Sequence, residues 1–308
     1  MKYFVVSDIH SFATELKYSL KCAGFNKKNK NHTLIVIGDI FDRGDETIET
    51  YEFLSSIPKK RCILIRGNHE TLFRMLLNKS YPDAWDFSNH TVDTFCHIAH
   101  RDIGDLHCGD VSWKEITDYV KSSKIWAWLN SDQWINYYEL DKYIFCHAFI
   151  PVKLKPGKEH FIEMFGIENA TGKLFDYNPL WRESTTAEWE EANWADPIDY
   201  YRCGLFEEEA KKDKVLVVGH WHTADFYWRL ANTKSSSGII QDIYYSKNLI
   251  GIDGGVFRDR ITSEYVHPQN VLVIDDKDFN TCYNRFGHKL EPIKEVPIIE
   301  TVTLEGNE

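Results

Sequence analysis

The stretch Thr33-Leu34-Ile35-Val36-Ile37-Gly38-Asp39-Ile40-Phe41-Asp42-Arg43-Gly44 decides how this chain is read. Residues 33–37 form a continuous apolar run, the mark of a strand buried on both faces. A polar turn follows at once. Gly38 and Gly44 permit a tight turn on either side of it. Asp39 stands at the end of the strand, where its two carboxylate oxygens can bridge two cations. The same residues also fit a plain polar turn between a strand and a helix.

Moving outward, the arrangement recurs. Lys2–Ser7 is a short apolar strand followed by Asp8-Ile9-His10. Cys62–Ile65 is followed by Arg66-Gly67-Asn68-His69-Glu70, residues 142–146 by His147, and residues 214–218 by Gly219-His220-Trp221-His222-Thr223. The carboxyl ends of strands in an α/β sheet face the ligand crevice, so five strand ends deliver polar groups to one place. Asp8 and His10, two apart along extended backbone, share a face. Asn68 offers an amide oxygen, while Glu70 reads as the cap of the next helix. His147 alone fits a satisfied core histidine as readily as a ligand. The pair His220 and His222 is a stronger signal. Carboxylate, imidazole and amide donors without a thiolate suit Mn, Fe or Zn. Two such ions about 3.5–4 Å apart are the usual engine for transferring a phosphoryl group to water.

Helices are expected at 12–24 (with Ser11 as its cap), 46–56 and 69–78. The resulting β-α-β-α-β order predicts a sheet that is at least partly parallel. Residues 80–141, rich in Asp, Trp and His, read as a helical insertion with helices near 93–101 and 111–129. Residues 153–213 read as a second, lid-like insertion. Strands return at 248–252 and 270–274, and the tail after Pro292 reads as an edge strand or a loose end. The expectation is one domain over 1–308.

Composition narrows the class. With 43% apolar residues among 308, a large core can be buried. A net charge of -11 disfavours broad binding to nucleic acid or anionic membranes, although a metal site adds local positive charge. Seven scattered cysteines, without a CxxC pair, read as reduced thiols of a cytoplasmic protein. MKYFVVSDIH reads as a strand and not a signal peptide. No apolar run approaches the roughly 18 residues that span a bilayer.

The ordered set DxH, GDxxDRG, GNHE, a lone His and GHxH resembles the calcineurin-like metallophosphoesterases. GDIFDRG and RGNHE look like their phosphoprotein-phosphatase branch, similar to bacterial and phage-type serine/threonine phosphatases. The motifs run from Asp8 to Thr223, most of the chain. The resemblance implies an α/β four-layer sandwich, two mixed sheets flanked by helices. It implies one divalent ion on Asp8, His10 and Asp39, with Asp39 bridging to a second held also by Asn68, His147 and His220. A hydroxide between the ions would attack phosphorus in line. His69, oriented by Asp42, would protonate the leaving oxygen. Arg43, with Asn68 beside it, would bind the phosphate, joined through a looser Trp-Arg match by Arg182.

Three departures from the family pattern carry expectations. Ser7 and Ser11 replace two glycines of the first motif. His147-Ala148-Phe149-Ile150-Pro151 replaces His-Gly-Gly, so Phe149 is expected to shape the substrate pocket. His222 is expected to bind the first metal. The implied function is a dinuclear, manganese-type phosphatase (Fe or Zn being the other metals) acting on phosphorylated proteins or small phosphomonoesters. One alternative is a dinucleoside polyphosphate hydrolase, with Trp181, Trp189 and Trp194 to stack a base. A nuclease or other phosphodiesterase is another. A non-catalytic scaffold is the remote one, set against a complete ligand set.

Overall fold

A computed structural model of the chain describes residues 1–165, 170–233, 241–258, 265–267 and 269–295. Its strands in chain order are β1 (Lys2–Ser7), β2 (His32–Ile37), β3 (Cys62–Ile65), β4 (Trp134–Ile135), β5 (Tyr138–Leu140), β6 (Tyr143–Phe145), β7 (Lys153–Leu154), β8 (Phe175–Asp176), β9 (Val215–Val218), β10 (Tyr244–Tyr245), β11 (Leu249–Gly251), β12 (Phe257–Arg258), β13 (Tyr265–His267), β14 (Leu272–Asp275) and β15 (Asp278–Tyr283). The first sheet has the order β15-β14-β1-β2-β3-β4, and the second β10-β11-β9-β6-β5. β1 to β4 run parallel, and β14 joins β1 antiparallel. In the second sheet β11, β9 and β6 are parallel between antiparallel edges.

The two-residue period of a strand builds the layers. Val5, Ile35, Ile37 and Ile65 point from the first sheet to meet Phe145, Val215, Val217 and Ile250 of the second. Phe4, Val6, Leu34, Val36 and Leu64 point the other way, into a core shared with helices. Ile144, Leu216 and Val218 do the same on the far side of the second sheet. Each fully buried Val, Ile or Leu contributes about 1.5–3 kcal/mol, so strands apolar on both faces are held from both sides. The result is the α/β four-layer sandwich, two mixed sheets between helical layers.

Residues 80–141 supply much of the first helical layer: Val92, Phe95, Trp113 and Ile116 lie in its core. They also contain β4 and β5, which two-residue and three-residue lengths hid from periodicity. The expected helix at 111–129 is two, Trp113–Ser122 and Lys124–Leu129. Ser123 breaks it with extended backbone (ψ 155°) and caps the second by accepting from the Trp126 amide at 3.1 Å. Residues 153–213 pack on the second sheet, with Phe175, Trp181, Trp189 and Tyr200 in the outer core. Among the described residues no helix is long and apolar enough to cross a membrane. The tail is tied down as far as Ile293, whose amide donates to the Tyr245 carbonyl at 2.7 Å, and residues 296–308 lie outside the described residues.

Candidate metal centre

The carboxyl ends of β1, β2, β3, β6 and β9 converge, and their turns carry Asp8 and His10, Asp39, Asn68 and His69, His147 and His220. The turns are strained. Asp8 (φ 50°), His10 (48°), Asp39 (51°), Asp42 (72°), Arg43 (63°) and His220 (65°) all adopt the left-handed region. For residues with a Cβ this costs on the order of 1–3 kcal/mol each, and such outliers concentrate where geometry serves chemistry. Ser11 (58°) adopts it too, in place of the glycine of the family pattern. It does not cap the next helix, Ala13–Cys22, whose N-cap is Phe12; its hydroxyl instead lies 3.2 Å from Thr47 Oγ1.

Among the described residues, two three-residue groups of donor atoms form, and Asp39 belongs to both. His10, Asp39 and His69 bring ligand atoms within 4.8 Å of one another, and so do Asp39, His147 and His220. Asp39 Oδ2 is 3.9 Å from His10 Nε2 and 3.8 Å from His69 Nε2, while Oδ1 is 3.4 Å from His147 Nε2. Backbone carbonyls fix two of the imidazoles. His10 Nδ1 donates to Phe41 O (2.9 Å) and His147 Nδ1 to Ile37 O (3.1 Å), which turns both Nε2 atoms inward. His147 Nε2 meets Asn68 Oδ1 at 2.8 Å, but His10 Nε2 is buried with no partner. A pinned Nδ1 with an inward Nε2 is how proteins present histidine to a metal.

For His10 and His220 the electrostatics agree with this reading. Burial, followed by Arg43 and His69, holds His10 well below its ordinary pKa. Burial and then His147 push His220 down to about 3. Both are therefore neutral and ready to ligate. Burial alone would raise Asp39, but the His147 and His69 imidazoles outweigh it and keep the carboxylate ionised. Burial alone would lower His147; the Asp39 carboxylate reverses this and raises it to about 10. Asp8 is raised well above the usual range by burial and then by the buried carboxylate of Asp253. The buried carboxylates of Asp8, Asp39 and Asp253, together with the orphaned imidazole nitrogen of His10, fit the surroundings of a divalent cation.

A family model described as calcineurin-like phosphoesterase matches residues 1–224. The chain belongs to this family. Its members are metal-dependent phosphoester hydrolases built on a dinuclear divalent metal centre. Over 70 residues it is 36% identical to a symmetrical bis(5'-nucleosyl)-tetraphosphatase of Buchnera aphidicola subsp. Schizaphis graminum, covering 23% of this chain and 24% of that one. The same enzyme of Psychromonas ingrahamii is 37% identical over 70 residues, again 23% and 24%. The chain thus spans about a quarter of the length of these curated relatives. A cold-active protein tyrosine phosphatase shares the fold at 15% identity, with a TM-score of 0.50 over 94% of this chain and 78% of that one.

Other side chains surround the donor groups. His69 Nδ1 donates to Asp42 Oδ2 at 2.6 Å, and Arg43 places a guanidinium nitrogen 3.4 Å from His69 Nε2. Glu70 caps its helix by accepting from Gly67 N (2.7 Å), as expected, and also accepts from Asp39 N (3.1 Å) and Ile40 N (3.0 Å). One buried carboxylate therefore clamps two strand-end turns together. Asp8 accepts from His220 N at 3.0 and 3.2 Å, which ties β1 to β9.

Three residues lie differently from expectation. His222 occupies the N-cap position of the helix Thr223–Ala231 without a side-chain capping bond and is half exposed, with Nε2 3.9 Å from Asp253 Oδ2; like Asp8, it lies outside both donor groups. Arg182 is held by carboxylates and not brought to the cluster. Its Nε donates to Glu139 (2.6 Å) and its NH2 to buried Glu209 (3.1 Å), with the guanidinium 4.1 Å from the Trp181 ring centre. Phe149 does not line a pocket: it is fully buried against Tyr200 and Phe206. Asp253 was missed, since it sits in a glycine turn with no flanking ligand pattern.

Proposed function

We propose that this phosphoesterase is a metal-dependent phosphatase whose preferred substrates are phosphomonoesters with poor leaving groups, above all phosphoserine and phosphothreonine in proteins. The observation that carries this is the buried His69–Asp42 pair at 2.6 Å, set beside Arg43. An alkoxide leaves slowly unless it is protonated, so an acid held in this way is valuable for a Ser or Thr ester. A nucleotide leaving from a polyphosphate needs much less help.

In this reading Asp8, His10 and Asp39 hold one divalent ion. Asp39, Asn68, His147 and His220 hold another, with His222 recruited to the first. Manganese is the preferred metal, with iron or zinc as substitutes. Bound there, such ions supply the Lewis acidity that polarises phosphate oxygens and acidifies water. Arg43 grips the phosphate through its planar guanidinium. His69 delivers a proton to the departing oxygen, and Asp42 fixes the imidazole and balances its charge. The buried, unpaired thiols of Cys62, Cys96 and Cys146 support a reducing, cytoplasmic setting.

Hydrolysis of dinucleoside polyphosphates is the second reading, favoured by the activity of the two partial relatives. Of the tryptophans expected to stack a base, Trp181 and Trp189 are fully buried, which leaves only the partly exposed Trp194 for that role. The deciding experiment compares kcat/KM for a phosphoserine peptide and diadenosine tetraphosphate on manganese-reconstituted protein. The proposal expects the peptide to win. Faster turnover of the nucleotide, with no phosphate released from peptides, overturns it.

A further inference from the structure

Asp42 is held by more than His69. Its Oδ2 accepts from Thr91 Oγ1 at 2.9 Å as well as from the imidazole, and its Oδ1 accepts from Thr94 Oγ1 at 2.6 Å. The Asp42 amide in turn donates to Thr94 Oγ1 at 3.1 Å. Thr94 thus clamps both the backbone and the carboxylate of one residue. All three side chains are buried, Asp42 at 1%, Thr91 at 1% and Thr94 at 0% exposure. The threonines begin the helix Thr91–Ile98, which packs in the first helical layer. Asp42 and Arg43 occupy left-handed backbone, a conformation that persists only where its surroundings over-determine it.

A carboxylate on a short side chain can rotate, and a rotated Asp42 would lose its bond to His69 Nδ1. Two hydroxyl donors from a rigid helix leave it one orientation. We propose that Thr91 and Thr94 are positioning residues for leaving-group protonation, so that the helical stretch 80–141 takes part in catalysis and not only in the core. This rests on the reading of His69 as the acid.

The test measures Thr94→Val, Thr91→Val and Thr94→Ser with manganese-loaded enzyme on two substrates. One is a phosphoserine peptide. The other is p-nitrophenyl phosphate, whose leaving group needs little protonation. Thr→Val keeps shape and removes the donor. A hydrogen bond to a charged group warrants a fall in kcat of about tenfold on the peptide, with KM unchanged. On p-nitrophenyl phosphate kcat is expected to stay within about threefold, and Thr94→Ser to restore the peptide rate. Thr91→Val removes a single bond and keeps the test valid if Thr94→Val does not fold.

Asp42→Asn is run alongside. If it is selective for the peptide but the valine variants slow both substrates equally, or neither, the inference fails and the acid reading stands. If Asp42→Asn itself shows no selectivity, the acid reading falls and takes the inference with it.

Discussion

Gly67→Ala is a sharp test of the centre, because its effect is purely one of space. Gly67 has extended backbone (φ -108°, ψ -176°) that alanine adopts without strain. A Cβ built there would stand 2.2 Å from Asp39 Oδ1, 2.7 Å from Asp39 N and 3.0 Å from His147 Cε1. The first contact is roughly 1 Å closer than van der Waals separation allows. The Asp39 backbone cannot retreat, since its amide is held by Glu70 at 3.1 Å at the end of a central strand. The carboxylate must therefore swing away from the position shared by both donor groups. Overpacking of this kind costs about 1–3 kcal/mol of stability, a few degrees in Tm. A displacement of about 1 Å at a reacting centre costs roughly 10²-fold in rate. The expected variant folds, carries less manganese after gel filtration and loses about 10²-fold in kcat/KM on p-nitrophenyl phosphate. Gly109→Ala is the control. That residue is left-handed (φ 79°) with nothing within 4 Å, so alanine there costs about 1–2 kcal/mol of backbone strain and no activity. A folded Gly67→Ala enzyme with full metal content and kcat/KM within about threefold of the parent would refute the reasoning.

Three further outcomes are expected. Arg43→Ala weakens inhibition by inorganic phosphate about 10- to 100-fold, as loss of a charge-assisted bond warrants, whereas Arg182→Ala leaves it unchanged; equal losses would return Arg182 to the phosphate site. Glu209→Gln removes a buried carboxylate that accepts from Tyr177 Oη (2.6 Å), Lys212 Nζ (3.0 Å) and Arg182, and costs about 2–3 kcal/mol at pH 7, measured by urea unfolding. Burial would raise Glu209, but bonds from Arg182 and Tyr177 outweigh it and lower its pKa to about 2. Because the folded value lies below the unfolded one, its stabilisation is complete above about pH 4.5 and fades as pH falls towards 2, so parent and variant should converge in acid. Dialysis against a strong chelator abolishes turnover and lowers Tm, and manganese restores both, since a ligand that binds only the folded state stabilises it by mass action. A chelated protein with undiminished turnover would remove the metal from the scheme.

The parts of the centre that were legible in the sequence share one property: each lies next to its own local signal. Asp8, Asp39, Asn68, His147 and His220 directly follow apolar strands, and a strand end in an α/β fold has a known direction. The parts that were not legible depend on contacts between distant stretches. Thr94 lies 52 residues from Asp42, and nothing beside it marks it as a partner. Arg182 looked like a phosphate ligand because a Trp-Arg pair is all the chain shows there; its Glu139 and Glu209 are 43 and 27 residues away. Ser11 fits a helix cap by residue type, but it adopts left-handed backbone and Phe12 takes the N-cap position. Short polar side chains suit both roles, because each satisfies nearby backbone while tolerating unusual φ, so residue type alone cannot separate them.

Asp253 shows where that limit matters most. Its glycine turn reads as punctuation, yet the fold buries its carboxylate beside Asp8 and sets its Oδ2 3.9 Å from His222. Gly255, in left-handed backbone (φ 61°), leaves room for the His222 ring, where a Cβ would come within 3.2 Å. The turn is therefore shaped around a histidine that lies outside the donor groups. Burying a second carboxylate against Asp8 is costly unless positive charge sits between or beside them. The local sequence can mark candidate donors, but only the packing of β9 against the turn after β11 shows how much negative charge they share.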